Sequence, residues 1–140
     1  MLYSEKQDGI SSRYNSNYSL QAARPGLVIR GNGQLIQRVD PTQVTDGQPK
    51  VIWQHNWFET TDAIVVAGNA TVIAGLLPDT TQRREIVPAI LALNIDDGTV
   101  LWSHRMPERV VKWGLAVDRH GGILVSLNNG DVVRLTDAAE

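Results

Sequence analysis

From Gly26 onward the chain alternates short β-branched and aliphatic runs with turn residues. Residues 27–30 lead through Gly31-Asn32-Gly33 into 34–39. Residues 63–66 and 71–74 flank Ala67-Gly68-Asn69-Ala70. Residues 90–94 and 99–102 flank Ile95-Asp96-Asp97-Gly98, and residues 123–127 and 131–135 flank Asn128-Asn129-Gly130. Asn-Gly between two apolar runs predicts a hairpin whose two central residues take positive φ. No window of ten residues carries helical periodicity. Two stretches read as loops. One is 41–49, with Asp46-Gly47; the other is 77–88, an excursion holding Pro78-Asp79-Thr80-Thr81 and Arg83-Arg84-Glu85. Residues 1–24 read as irregular, apart from one strand near 18–22.

Evenly spaced strands with tight turns fit a sandwich, a barrel or a propeller. A repeat narrows the choice. Each unit is an apolar strand, an Asn-containing turn, a second strand, a Gly-containing turn and a strand ending in Trp. The first runs from Leu27 through Asp40 and Gly47 to Trp53. The second runs from Ala63 through Ala92, Asn94 and Gly98 to Trp102, 49 positions after Trp53. The third runs from Trp113-Gly114-Leu115-Ala116-Val117 through Gly130 to Leu135, short of the closing Gly and Trp. The implied units are 25–57, 58–106 and 107–140. Gly permits a turn that a side chain blocks, Asn94 has the short polar group to hydrogen-bond the turn backbone, and Trp has a broad face to bury and one N–H to satisfy.

The second unit resembles the tryptophan-docking motif of the PQQ-like (quinoprotein-type) β-propellers, Ala-x-Asp-x-x-Thr-Gly-Lys-x-x-Trp. Ala92, Gly98 and Trp102 match; Asn94, Asp97 and Thr99 stand where that motif has Asp, Thr and Lys. The resemblance covers residues 26–135. It implies an all-β chain of antiparallel four-stranded blades, a partial propeller of two to three blades, whose Trp packs on the neighbouring blade's turn. The residues carrying the repeat are then Trp53, Ala92, Asn94, Asp97, Gly98, Trp102 and Gly130. The alternative is a plain Asp97-Gly98 hairpin with Trp102 an ordinary core aromatic. Propellers close with roughly four to eight blades, so the chain reads as the C-terminal part of a longer propeller, with Met1 a false or truncated start.

Composition adds mainly exclusions. With 13 basic and 15 acidic residues the net charge is −2, which gives no electrostatic ground for nucleic acid. There is no cysteine, hence no disulfide, thiolate zinc site or cysteine nucleophile. No apolar run approaches a membrane-spanning helix, and the N-terminus lacks the basic and apolar regions of a signal peptide. His55, His104 and His120 lack ligand spacing; His55 and His104 each follow a Trp by two residues, an echo of the repeat. Asp96-Asp97-Gly98 reads as a turn and lacks the order of a calcium loop, Asp118-Arg119-His120-Gly121-Gly122 is also a turn by composition, and Asp131 stands elsewhere. No nucleophile elbow occurs, Gly31-Asn32-Gly33 precedes no helix, and Asn69-Ala70-Thr71 fits a glycosylation sequon but reads as a turn. Lys112-Trp113 with Arg105 and Arg109 forms a small basic-aromatic cluster of the kind that stacks a sugar or a base.

Three functions compete. The first is a non-catalytic propeller module that binds protein partners, or the remaining blades, as a scaffold, with no cofactor. The second is a fragment of a PQQ-dependent dehydrogenase holding PQQ and calcium; such enzymes typically carry a vicinal Cys pair, which this chain lacks. The third is a small carbohydrate-binding β-sandwich using Trp53, Trp57 or Trp113. The resemblance implies a periplasmic or extracellular location if an export signal lies upstream.

Overall fold

The computed structural model describes residues 20–79 and 85–136. These form eleven strands, all in antiparallel pairing and without a helix, in three sheets. The first sheet is β1 (Leu20–Arg24), β2 (Leu27–Gly31), β3 (Ile36–Thr45) and β4 (Gln48–His55). The second is β5 (Thr60–Ala67), β6 (Ala70–Asp79), β7 (Glu85–Asn94) and β8 (Val100–Arg105). The third is β9 (Val110–Val117), β10 (Ile123–Leu127) and β11 (Val132–Leu135). Each is a meander in which every strand pairs with its sequence neighbours. Among the described residues the sheets close into neither a barrel nor a ring.

The second sheet lies between the other two, which explains its sequence. Ile64, Ile73, Leu91 and Leu93 join Leu20, Ile29, Ile36 and Trp53 in one core. Ala63, Val72, Ala74, Ile90 and Ala92 point the other way and meet Val110, Leu115, Ile123 and Val125 in a second. A strand buried on both faces needs apolar residues at consecutive positions; a strand covered on one face alternates, as β2 does. Fully burying each of these isoleucines stabilises the array by about 1.5–3 kcal/mol. The backbones of neighbouring sheets approach most closely along their first strands, β1 beside β5 and β5 beside β9.

Three expectations are corrected. Residues 41–49 are no loop: β3 and β4 continue through them to Thr45↔Gln48, and Asp46 (φ 54°) with Gly47 (φ 77°) makes the type I′ turn. The prolines fit because Pro41 falls in the bulge between Asp40 and Val44, and Pro49 lies on the edge strand β4, where a ladder hydrogen bond need not be lost. Residues 77–88 are likewise mostly strand, pairing Leu77↔Val87, Pro78↔Ile86 and Asp79↔Glu85. There β6 and β7 run on past the pairings that β5 and β8 make, so Pro78 and Pro88 break no outer ladder. The rest of that excursion, residues 80–84, lies outside the described residues. Asn32-Gly33 takes no positive φ; instead Asn32 Oδ1 accepts the N–H groups of Gln34 and Leu35 at 3.0 and 2.7 Å and holds an Asx turn. The strand expected near 18–22 is present as β1, with Leu20 and Ala22 in the core; residues 1–19 lie outside the described residues.

Candidate functional site

The second sheet's last turn is built by its own polar side chains. Asn94 Oδ1 accepts Asp96 N–H at 2.8 Å, and the Asn94 carbonyl accepts Gly98 N–H at 2.8 Å. Asp97 Oδ1 accepts the Thr99 N–H and hydroxyl at 3.0 and 2.8 Å, which lowers the Asp97 pKa. Gly98 closes the turn at φ 76°, in the left-handed region. Ile95 N–H is taken by the Asn69 carbonyl at 2.9 Å, so the turn is tied to the β5–β6 turn, where Gly68 (φ 60°) opens a two-residue link.

Trp53, from β4 of the first sheet, lies on this turn. Its indole N–H donates to the Ile95 carbonyl at 2.7 Å, and only 8% of the residue is exposed. A Cβ on Gly98 would stand 2.7 Å from Trp53 Cδ2 and 2.9 Å from His55 Nε2. Arg38 Nη1 donates to the same Ile95 carbonyl at 3.1 Å and lies 3.5 Å from Asp96 Oδ1. His55 Nε2 is 2.8 Å from the Gly98 carbonyl. A carbonyl only accepts, so the ring carries its proton on Nε2. The His55 ring stacks between Trp53 (5.5 Å) and Trp57 (3.8 Å). Sequence reasoning missed the roles of His55, Arg38 and Trp57. The one available signal was the Trp-x-His-x-Trp spacing of 53–57: alternation puts Trp53 and His55 on one face of β4, and Trp57, just past the strand's end, stacks on His55.

Trp102 is placed differently. It lies on edge strand β8 opposite Ala92, and Ala92 belongs to the core shared with the third sheet. Directly opposite residues share a face, so Trp102 also points to the third sheet's side, yet 38% of it is exposed. The whole of β8 is exposed. Gly130 (φ 97°) sits in the β10–β11 turn, far from this cluster in the chain's order of sheets, and its N–H bonds the Leu127 carbonyl. The structure thus gathers Trp53, Asn94, Asp97 and Gly98 at one turn, with Ala92 on the strand leading to it, and leaves Trp102 and Gly130 elsewhere.

The other candidates resolve into structural contacts. Arg109 Nη2 and Nε donate to Asp62 Oδ1 and Oδ2 at 2.9 and 3.1 Å, a forked pair joining β5 to the segment before β9, and this raises the Arg109 pKa. Arg109 is thereby taken up by Asp62 and not by the basic-aromatic cluster. Trp113 takes φ 65°, an uncommon value for a bulky residue, where the β9–β10 register slips. Asp118 accepts Arg134 Nε at 2.7 Å and the Gly122 and His120 N–H groups at 2.8 and 2.9 Å; the guanidinium first, then these amides, bring its pKa down to about 2. Thr71 of the sequon is fully buried. Among the described residues no three His, Asp or Glu side chains gather closely enough to hold a metal ion, and no helix is long and apolar enough to cross a membrane.

No protein-family model matches this chain, and no curated protein matches it. Among solved structures, a protein of unknown function from Bacteroides caccae is similar over 83% of this chain, with a TM-score of 0.54 and 12% identity. This chain spans 44% of that one. The computationally designed Ika4 protein is similar over 96% of this chain and 94% of its own, with a TM-score of 0.40 and 13% identity. At such identity the Bacteroides likeness is one of fold alone.

Proposed function

We propose that the chain supplies consecutive blades of a PQQ-like β-propeller, as a non-catalytic repeat module of a longer protein that presents a binding or scaffold surface to protein partners. One observation carries this reading: the Trp53 indole of one four-stranded meander seated on the Gly98 turn of the next. That contact couples successive sheets by the residue types the docking motif uses. The side-by-side first strands favour it too, since blades radiate from their innermost strands.

The dehydrogenase alternative is less well supported by the residues present. The chain has no cysteine, and the described residues offer no acidic cluster for calcium beside a cofactor. The carbohydrate alternative loses Trp53 to the turn contact; Trp57 and Trp113 are 40% and 36% exposed but lie on different sheets' strands or links. Calorimetric titration with PQQ plus calcium, and tryptophan quenching by a glycan panel, should both give no saturable signal. Calcium-dependent PQQ binding would overturn the reading in favour of the enzyme. Imaging the longer natural protein should reveal a ring with a central channel, and fractionation should find it outside the cytoplasm.

A further inference from the structure

β8 is an edge strand in the interior of the chain. Among the described residues it pairs with β7 alone, and after Arg105 the chain crosses the second sheet to β9, whose backbone lies beside β5. All of β8 is exposed, and Val100, Leu101 and Trp102 make an unbroken apolar run at 48%, 47% and 38%. The ladder fixes what this edge offers. Met106 N–H donates to the Pro88 carbonyl next to β7's Ala89. By alternation His104 and Trp102 turn their backbone groups inward, and Ser103 and Arg105 turn theirs outward. Exposed edges are ordinarily blunted by proline, lysine or bulges. β4, the matching strand of the first sheet, has all three: Pro49, Lys50 and register shifts against β3. β8 has neither proline nor lysine, and its register shift precedes Trp102, so the ladder from Trp102 to Arg105 is regular.

We propose that β8 pairs antiparallel with β8 of a second copy of this chain, across a two-fold axis at Ser103, so that two four-stranded sheets become one continuous sheet. A two-fold axis normal to a sheet sets one edge residue opposite itself. Ser103 lies inside the regular stretch, turns its backbone groups outward, and has a small side chain to place at the axis. The two copies then exchange Ser103 N–H and C=O bonds. Trp102 stands opposite the partner's His104, and Leu101 opposite the partner's Arg105. Trp102 and His104 share a face, since their β7 neighbours Ala92 and Ile90 belong to one core. Both occupy non-hydrogen-bonded sites of the new ladder, where facing side chains come closest, so two Trp–His pairs gather around the axis. The charges suit a second copy better than an acidic strand. Arg105 already has a partner within its own chain, β8 holds no acid, and the register sets no like charges opposite each other.

The pairing depends on the second sheet alone and not on a ring. Sedimentation equilibrium tests it on the 140-residue chain. The mass should rise from 15.4 kDa toward twice that value between micromolar and near-millimolar concentration, because a short edge pairing belongs among the weak interfaces. Ser103→Pro removes an outward N–H and no bond to β7. It should keep the parent's far-UV circular dichroism and weaken association at least about tenfold. The chain has no cysteine, so Ser103→Cys adds a single thiol, which should meet its copy at the axis and give a covalent dimer under mild oxidation. Leu101→Cys should not, because its copy stands about 14 Å away along the ladder, beyond disulfide reach. The two cysteine variants carry the test if the proline variant unfolds. A chain that stays monomeric throughout, a dimer that Ser103→Pro leaves intact, or equal cross-linking by the two cysteine variants overturns the proposal.

Discussion

Gly98→Ala isolates the contact between the first two sheets. Two costs act on the new methyl group. Gly98 sits at φ 76°, where a residue with a Cβ loses about 1–2 kcal/mol. The methyl would also stand 2.7 and 2.9 Å from Trp53 Cδ2 and Cγ; forcing an extra carbon into a packed site costs about 1–3 kcal/mol more. The sum is about 2–5 kcal/mol. Gly47→Ala is the control. Gly47 has φ 77°, and nothing lies within 4 Å of its added Cβ. It bears the backbone cost alone, about 1–2 kcal/mol. The gap between the two variants should thus be about 1–3 kcal/mol in urea unfolding followed by far-UV circular dichroism. In a Trp53→Ala background the gap should shrink by more than half, because the main obstacle is gone. Equal midpoints for the two alanine variants, or a gap indifferent to Trp53, would refute the claim that this glycine is kept free of a side chain by the tryptophan on it.

Trp53→Phe keeps most of the ring but removes the N–H, leaving the Ile95 carbonyl with Arg38 as its other donor; a loss of about 1 kcal/mol is expected in the same unfolding assay. Arg109→Met leaves the Asp62 carboxylate buried without its forked partner. Because Arg109 is 43% exposed against 7% for Asp62, the cost should fall below the full buried-pair value, at about 1–3 kcal/mol, and Asp62→Leu in the same chain should recover part of it. Asp118 gives a pH dependence. Its pKa is lowered from 3.8 to about 2, so its stabilising effect is complete above 3.8 and is lost as pH falls toward 2. Unfolding midpoints of the parent and of Asp118→Asn should differ at pH 6 and converge by pH 2; curves that stay parallel would contradict the Arg134 contact.

Much of the strand pattern was legible because two-residue turns leave strong local marks. Gly68-Asn69 is such a turn and stands where the alternation of runs put it, as does the longer link 95–99 that Gly98 helps close. The errors came where length and proline suggested loops. Residues 41–49 and 77–88 hold four prolines between them, yet each proline sits on an edge, at a bulge or beyond the reach of the outer strand. Proline excludes only the position that must donate to a neighbour, and which positions those are depends on register, which the sequence does not display. Asn32-Gly33 misled for a related reason. The dipeptide permits a positive-φ turn, but Asn32 can also cap a longer link with its side chain, and here it does.

The candidate site was half legible, and the missing half follows from how consecutive sheets pack. The stretch from Ala92 to Trp102 reads as one motif, which invites the idea that its turn and its tryptophan touch. They do not: the turn at Asn94–Gly98 receives Trp53 from the sheet before, while Trp102 points onward to the sheet after. Where sheets stack along a chain, one short stretch of sequence serves two different contacts, one facing each neighbour. Each contact is then only as complete as the sheet next to it. Trp53 is 8% exposed where its ring and N–H meet the second sheet's turn, whereas Trp102 is 38% exposed on an edge strand that is exposed along its whole length. The same residue type on the fourth strand of its meander therefore differs in burial with the contact it makes: Trp53 has a backbone turn to receive its ring and its N–H, and Trp102 stands on a fully exposed edge strand.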